Sequence, residues 1–356
     1  MIRQAPESVS RRRRLGALVA AGAVIGLIGV GIDAAVAAAG GPAGLLYFTT
    51  YDPPALWRVP VSYRGGRPVF GRQQLVARLP GADGVVFDRA GEALVGGQGT
   101  GLVEAVDVHS GALRTVRAGG PDAFHLALSP DGATVYTSGL PGTLCALPAD
   151  PLGPGTALAV RGDDRYITSI AFDEQGDAFY TTGVIPGQGN FGRIDLSTMT
   201  TTRTLDGLVA AHGMAFDPFS RSLFLFGGDT IYQVDPRDPV RVVSQLTVPG
   251  TQLDQGTADG DGHLLVASNF GQLVVVDLAP SGRLDQAGAL SVVPLHPRLD
   301  DVAPLVGPGA APSGVPWRPW AAVGLGTLAA AGLGAVVVPG ERRGRLPAWD
   351  LRRRIG

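Results

Sequence analysis

The chain has 356 residues with a formal net charge of −2, 45% hydrophobic residues, 53 Gly, 28 Pro and a single Cys. That apolar fraction excludes a disordered chain, and the density of Gly and Pro excludes long helices between the two ends. The lone Cys145 excludes an intramolecular disulfide and a cysteine-based zinc site, while the absence of Lys among the 29 basic residues excludes Schiff-base and P-loop lysine chemistry.

The small net charge hides a segregation. Residues 1–14 carry five Arg against one Glu, and residues 340–356 carry six Arg against one Glu and one Asp. Between 40 and 316 there are 17 Arg against 27 Asp and Glu, and an acidic middle argues against a nucleic acid as partner.

In chain order, Arg11–Arg14 precede the uncharged run Leu15–Ile32, and Ala35-Val36-Ala37 has the small-x-small form of a signal-peptidase site. Residues 1–42 therefore read as a signal peptide or an N-terminal membrane anchor. The folded part begins at 43 and runs to 307, with Leu45–Thr50 as its first strand.

Within it one short pattern returns. Asp83-Gly84-Val85-Val86-Phe87-Asp88 has cousins at Phe124–Ser129, Thr168–Asp173, His212–Asp217, Gln255–Asp259 and Asp300–Pro304, aligned at 84, 125, 169, 213, 256 and 301. The steps of 41, 44, 44, 43 and 45 residues, filled with short apolar runs and turn residues, predict a β-propeller with four strands per blade. Second strands follow at Leu94-Val95, Val135-Tyr136, Phe179-Tyr180, Leu223-Phe224 and Leu264–Val266, and third strands at Leu56–Pro60, Val103–Asp107, Thr143–Pro148, Gly192–Asp195, Ile231–Asp235 and Leu273–Asp277. The segment at 45–50 has no first strand before it, and Asp300–Leu305 has no second strand after it. The expected fold is all-β, a six-bladed ring whose last blade is shared between the two chain ends, flanked by N- and C-terminal hydrophobic helices. Closing the ring in this way removes exposed strand edges.

Residues 308–319 read as a linker. Trp320–Val338 is uncharged, so 320–339 is expected to be a transmembrane helix, with Trp317 and Trp320 at one interface and the basic tail 340–356 on the cytoplasmic side. This places the ring outside the cytoplasm, anchored at a cell membrane of bacterial type, with its mouth pointing away from the bilayer.

The residues just before or at the first strands line that mouth: Asp83, Phe124, Thr168, His212, Gln255 and Asp300, with His125, Ser169 and Asp301 just behind. Asn190, in the long loop Gly183–Asn190, and Asn269 are expected on the rim. Carboxylate, imidazole and amide oxygen are ligands for a divalent cation and groups for general base chemistry. Equally, such residues cap turns around a water-filled channel. No Gly-x-Ser-x-Gly, His-Glu-x-x-His, Walker or Rossmann fingerprint is present in its required context.

Phrases such as Leu128-Ser129-Pro130-Asp131-Gly132-Ala133-Thr134-Val135-Tyr136 resemble the YVTN, NHL and SMP-30/gluconolactonase-like six-bladed propellers. In the lactonase branch that resemblance implies a divalent metal (Ca, Mg, Mn or Zn) held at the position before the first strands, which here is Asp83, His212, Gln255 and Asp300. No Glu or Asn occupies any of the six positions. Two functions stay open: a module that recognises an extracytoplasmic protein, peptide or glycan through its mouth, and an SMP-30-like metal-dependent lactonase or hydrolase. A structural module of the cell envelope is a third.

Overall fold

The structure, a computed structural model, describes residues 44–303 apart from 65–66, 140–141, 184–188 and 280. The expected signal or anchor segment (1–42), linker (308–319), transmembrane helix (320–339) and basic tail (340–356) lie outside the described residues, as does the middle of the loop 183–190. Among the described residues no helix is long and apolar enough to cross a membrane.

Six antiparallel sheets follow one another in the chain, each beginning near one of the recurring motifs. Blade 2 is built from Val85–Phe87, Ala93–Gly97, Leu102–Val106 and Leu113–Arg117. Blade 3 follows with Leu126–Leu128, Thr134–Ser138, Thr143–Pro148 and Thr156–Ala159, and blade 4 with Ser169–Phe172, Ala178–Thr181, Gly189–Asp195 and Thr200–Leu208. Blade 5 comprises Gly213–Asp217, Ser222–Gly227, Thr230–Val234 and Val242–Thr247, and blade 6 Leu253–Ala258, His263–Ser268, Gln272–Asp277 and Ala289–Pro294. Blade 4 carries an additional outer strand, Arg161–Gly162, parallel to Thr200-Thr201.

Blade 1 is the shared one. Its innermost strand, Leu299–Ala303, pairs with Gly44–Tyr51, which in turn pairs with Pro54–Arg64. The register is Tyr47 to Ala303, Phe48 to Val302 and Thr50 to Leu299, with a shift between Phe48 and Thr50. Thr49 lies at that shift, and its hydroxyl donates to the Asp83 carbonyl at 2.6 Å while accepting from the Asp301 N–H at 3.0 Å. One side chain thus ties both chain ends to blade 2. Thr49→Val keeps the shape and leaves both buried partners unsatisfied, so a loss of about 1–3 kcal/mol is expected. Denaturant unfolding with unchanged stability would show that the closure does not depend on this hydroxyl.

The repeat in the sequence has a common turn chemistry. The residue that ends the inner strand accepts backbone N–H groups of the turn into the second strand: Asp88 from Glu92 at 2.8 Å, Asp173 from Gln175 and Asp177 at 3.0 and 2.9 Å, and Asp259 from Asp261 and His263 at 2.8 and 3.0 Å. Ser129 does the same for Thr134 at 3.0 Å, and Asp217 for Phe219 and Ser220. A short polar side chain that can reach its own backbone is what such a turn selects. His263 belongs to this turn, as its sequence context suggests, and its Nδ1 lies 2.7 Å from Asp259 Oδ2.

The core is not one mass but six wedges, one at each seam between neighbouring blades. Leu46, Phe48 and Val59 of blade 1 meet Leu265 and Val275 of blade 6, and Phe224 and Phe226 of blade 5 meet Leu264 and Val266 of blade 6. The remaining four seams are filled in the same manner. Second and third strands are buried on both faces, which is why they read as continuous apolar runs, whereas outer strands such as Ala289–Pro294 alternate. Cys145 sits fully buried in the seam of blades 2 and 3, as a small apolar side chain.

Candidate functional site

Where the inner strands begin, five blades bring polar side chains to one point. Blade 2 is preceded by Asp83, blade 3 by His125 and blade 5 by His212; blade 6 supplies Asp254 from its inner strand and Asn269 from its next turn, and blade 1 supplies Asp300. The backbone that carries each is fixed by the neighbours. The His212 carbonyl accepts the hydroxyls of Thr168 at 2.9 Å and Thr181 at 2.7 Å, and the Phe124 carbonyl beside His125 accepts the Thr137 hydroxyl at 3.0 Å.

His212 Nε2 lies 3.0 Å from Asp254 Oδ1. His125 stands edge-on to His212, ring centroids 4.7 Å apart, with Nε2 3.8 Å from Asp254 Oδ1 and Nδ1 3.2 Å from Asp83 Oδ1. One ligand atom from each of His125, His212 and Asp254 can be chosen so that all lie within 4.8 Å of one another. The side chains of His125, Asp83 and Asp254 are 2%, 4% and 9% exposed, whereas that of His212 is 26% exposed and marks the open side.

Charge is poorly balanced here. Burial pushes the Asp83 carboxyl well above its usual range, helped by the charges of Asp254 and Asp301. Asp300 is raised in the same way by burial and by Asp83 and Asp254, and Asp301 by burial although it accepts two backbone N–H groups. Burial works against the Asp254 carboxylate too, but His212, His125 and the Asn269 amide outweigh it and bring Asp254 down to about 2. Burial likewise disfavours the His212 imidazolium, yet Asp254 and the Gly183 carbonyl, 3.4 Å from Nδ1, raise it overall. His125, desolvated and repelled by His212, falls to about 3. Burial and mutual repulsion thus favour the protonated carboxyls of Asp83, Asp300 and Asp301 and the neutral imidazole of His125, while His212 and Asp254 favour each other's charged form.

Polar atoms are also left without hydrogen-bond partners: both ring nitrogens of His125, Asp83 Oδ1, Asp300 Oδ2 and Asn269 Oδ1. Buried groups of this kind are normally satisfied, and a cluster of orphaned nitrogens and oxygens facing one another fits a cation held between them. Two imidazoles and a carboxylate suit zinc or manganese better than calcium or magnesium, which prefer oxygen ligands alone. On binding it His212 would give up its proton, and His125, His212 and Asp254 would hold the ion, with Asp83, Asp300 and Asn269 beside it.

Of the residues singled out in the sequence, Asp83, His125, His212, Asp300 and Asn269 come together here. Gln255 faces another way: its Oε1 accepts from the Met214 N–H at 2.9 Å and its Nε2 donates to Ser169 at 3.3 Å, joining blade 6 to blades 5 and 4. Asp301 accepts from the Val85 N–H at 2.8 Å and links blade 1 to blade 2. The Asn190 amide donates to Asp164, in a network with Tyr180 and Arg203. Asp254 is the member of this cluster that the repeat alignment passes over. The register of the inner strand shifts between Leu253 and Gly256, and an Asp beside a periodic mouth position was the available signal.

No protein-family model matches the chain, and no curated protein matches it. Among solved structures, a streptogramin B lyase structure is similar over 74% of this chain and 88% of that one, at 14% identity and a TM-score of 0.49. That likeness is too distant to bear on chemistry.

Proposed function

We propose that the protein is a divalent-cation-dependent hydrolase of esters or lactones, with its catalytic centre at the mouth of the ring. The observation that carries this reading is the convergence of His125, His212 and Asp254 with unpartnered oxygens of Asp83, Asp300 and Asn269 around them. A zinc or manganese ion held there would supply Lewis acidity toward a carbonyl and lower the pKa of a bound water toward neutrality.

The chain's own groups supply the rest. Asp254 is held as an anion by His212 and the Asn269 amide. Asp300, whose Oδ2 has no partner and whose carboxyl burial holds toward its protonated form, is placed to give its proton to the leaving oxygen and to take back the one released by the attacking water. His212, more open than His125, Asp83 or Asp254, marks the side from which substrate enters. The Gln255 to Ser169 hydrogen bond joins the inner strands of blades 6 and 4. In this reading the ring works outside the cytoplasm, tethered through the segment 320–339.

A second reading is favoured by the burial of the centre, since the side chains of His125, Asp83 and Asp254 are at most 9% exposed. There the cation holds the ring together, and the rim recognises a protein, peptide or glycan or serves the envelope structurally. Elemental analysis of the full chain is expected to find about one divalent ion per chain, lost in His212→Ala and Asp254→Ala and retained in Asn190→Ala. A wild-type chain without metal overturns the hydrolase. Metal without chelator-sensitive turnover of any ester or lactone in a broad panel leaves the second reading.

A further inference from the structure

Both imidazoles of the centre present the same nitrogen to the same oxygen. His212 Nε2 lies 3.0 Å and His125 Nε2 3.8 Å from Asp254 Oδ1. Behind each ring, Nδ1 faces a different oxygen: the Gly183 carbonyl at 3.4 Å for His212 and Asp83 Oδ1 at 3.2 Å for His125. The two nitrogens of an imidazole point away from one another, and which of them carries the proton is set by what the other meets. An acceptor on each Nδ1 leaves both Nε2 lone pairs directed toward Asp254. Metal-binding histidines are oriented in this manner, by a carbonyl or carboxylate on the nitrogen that does not bind.

The sequence puts Asp83 behind His125 through its neighbour. A Cβ on Gly84 would lie 2.5 Å from both the His125 Cα and the Leu126 nitrogen, so only glycine lets the chain enter blade 2 this close to blade 3. From the other side the Thr49 hydroxyl of blade 1 holds the Asp83 carbonyl at 2.6 Å. Asp83 Oδ1 and the two His125 nitrogens have no other partner among the described residues. His125, His212 and Asp254, whose ligand atoms can lie within 4.8 Å of one another, form their group without Asp83.

We propose that Asp83 is a positioning residue: it accepts the Nδ1–H of His125 and so turns Nε2 of that ring onto the cation, without binding the cation itself. The inference rests on the cation reading of the centre and gives Asp83 a role other than the ligand role that the repeat resemblance implies. One proton lies between Oδ1 and Nδ1 throughout. Without the ion, burial holds it on the Asp83 carboxyl, and Nε2 carries the ring proton. With Nε2 on the ion, that ring proton leaves to solvent, the shared one moves to Nδ1, and Asp83 becomes the accepting carboxylate.

Zinc titrated into the full chain against a competing chelator is expected to bind about 10–100-fold more weakly to Asp83→Leu than to wild type, and Asp83→Asn, which keeps an accepting oxygen, to recover most of that loss. A spectrum of the ring separates orientation from packing. With the five histidines isotopically labelled, His125 is assigned as the imidazole missing from His125→Gln. In the zinc-loaded wild type it should show zinc on Nε2 and a downfield, exchange-protected Nδ1–H, a protection lost in Asp83→Leu and kept in Asp83→Asn.

Zinc on His125 Nδ1, an unprotected Nδ1–H, or equal affinity of wild type and Asp83→Leu overturns the assignment and leaves the cation reading standing. Equal losses in Asp83→Leu and Asp83→Asn make Asp83 a ligand and overturn it as well. A wild type that binds no zinc overturns both. The wild-type spectrum decides even where Asp83→Leu does not fold.

Discussion

Gly213→Ala is expected to lower the midpoint of thermal unfolding by roughly 10 °C or more and to abolish metal loading. A Cβ at Gly213 would lie 2.1 Å from the Asp254 carbonyl oxygen, 2.1 Å from Gln255 Oε1 and 2.8 Å from Gln255 Cα. Two of those three atoms are backbone or attached directly to it, so turning one side chain does not make room. The inner strands of blades 5 and 6 must separate at the axis, where Phe226, Leu264 and Val266 fill the seam behind them. Overpacking of this kind costs about 1–3 kcal/mol, and the Gln255 hydrogen bonds to Met214 and Ser169 add about 1 kcal/mol each when broken. The same displacement moves Asp254 away from His212. Gly153→Ala, whose Cβ would meet only Pro148 side-chain atoms at 3.3 Å or more, serves as the control and should melt close to wild type. Calorimetry of both variants decides the matter: a Gly213→Ala chain as stable as the control means that the inner strands do not approach as described.

The position of Gly213 also shows what could be read from the sequence. Six blades were legible because each repeats the same local problem, an inner strand ended by a short polar side chain that closes its own turn, as Asp88, Asp173 and Asp259 do. The shared blade was legible because each chain end lacked the strand that the other supplied. The centre was only partly legible, because side chains reach it at different offsets from the repeat. Relative to the aligned residues at 84, 125, 213, 256 and 301, Asp83, His212 and Asp300 stand one before, His125 at the aligned position and Asp254 two before. The Asp254 offset goes with the register shift between Leu253 and Gly256, and Gly213, without a side chain, lets Gln255 pack against it and reach Ser169. A period of about 44 residues specifies the blade; a displacement of one residue decides whether an Asp or a Gln faces the axis.

Glu104→Gln is expected to stabilise the protein at pH 8 by about 3 kcal/mol and to change little at pH 4. Glu104 interrupts the apolar third strand of blade 2 and is fully buried. It lies across from Val95, in the seam that Leu56 and Ala82 share with blade 2. Neither of its oxygens has a hydrogen-bond partner. Burial lifts its pKa from 4.5 to about 7, opposed only by its own backbone N–H. The folded state therefore holds the proton more tightly than the unfolded chain does. Stability from this group is complete below pH 4.5, falls as the pH rises through the folded value near 7, and is constant above it. Glutamine has nearly the same shape and no proton to lose, so the variant escapes that decline. The carboxyls of the centre titrate in both proteins and cancel in the comparison. Unfolding free energies of the two chains measured from pH 4 to pH 9 should diverge between about pH 5 and 8. Parallel curves would mean that water or a counter-ion already reaches the Glu104 carboxylate inside the seam.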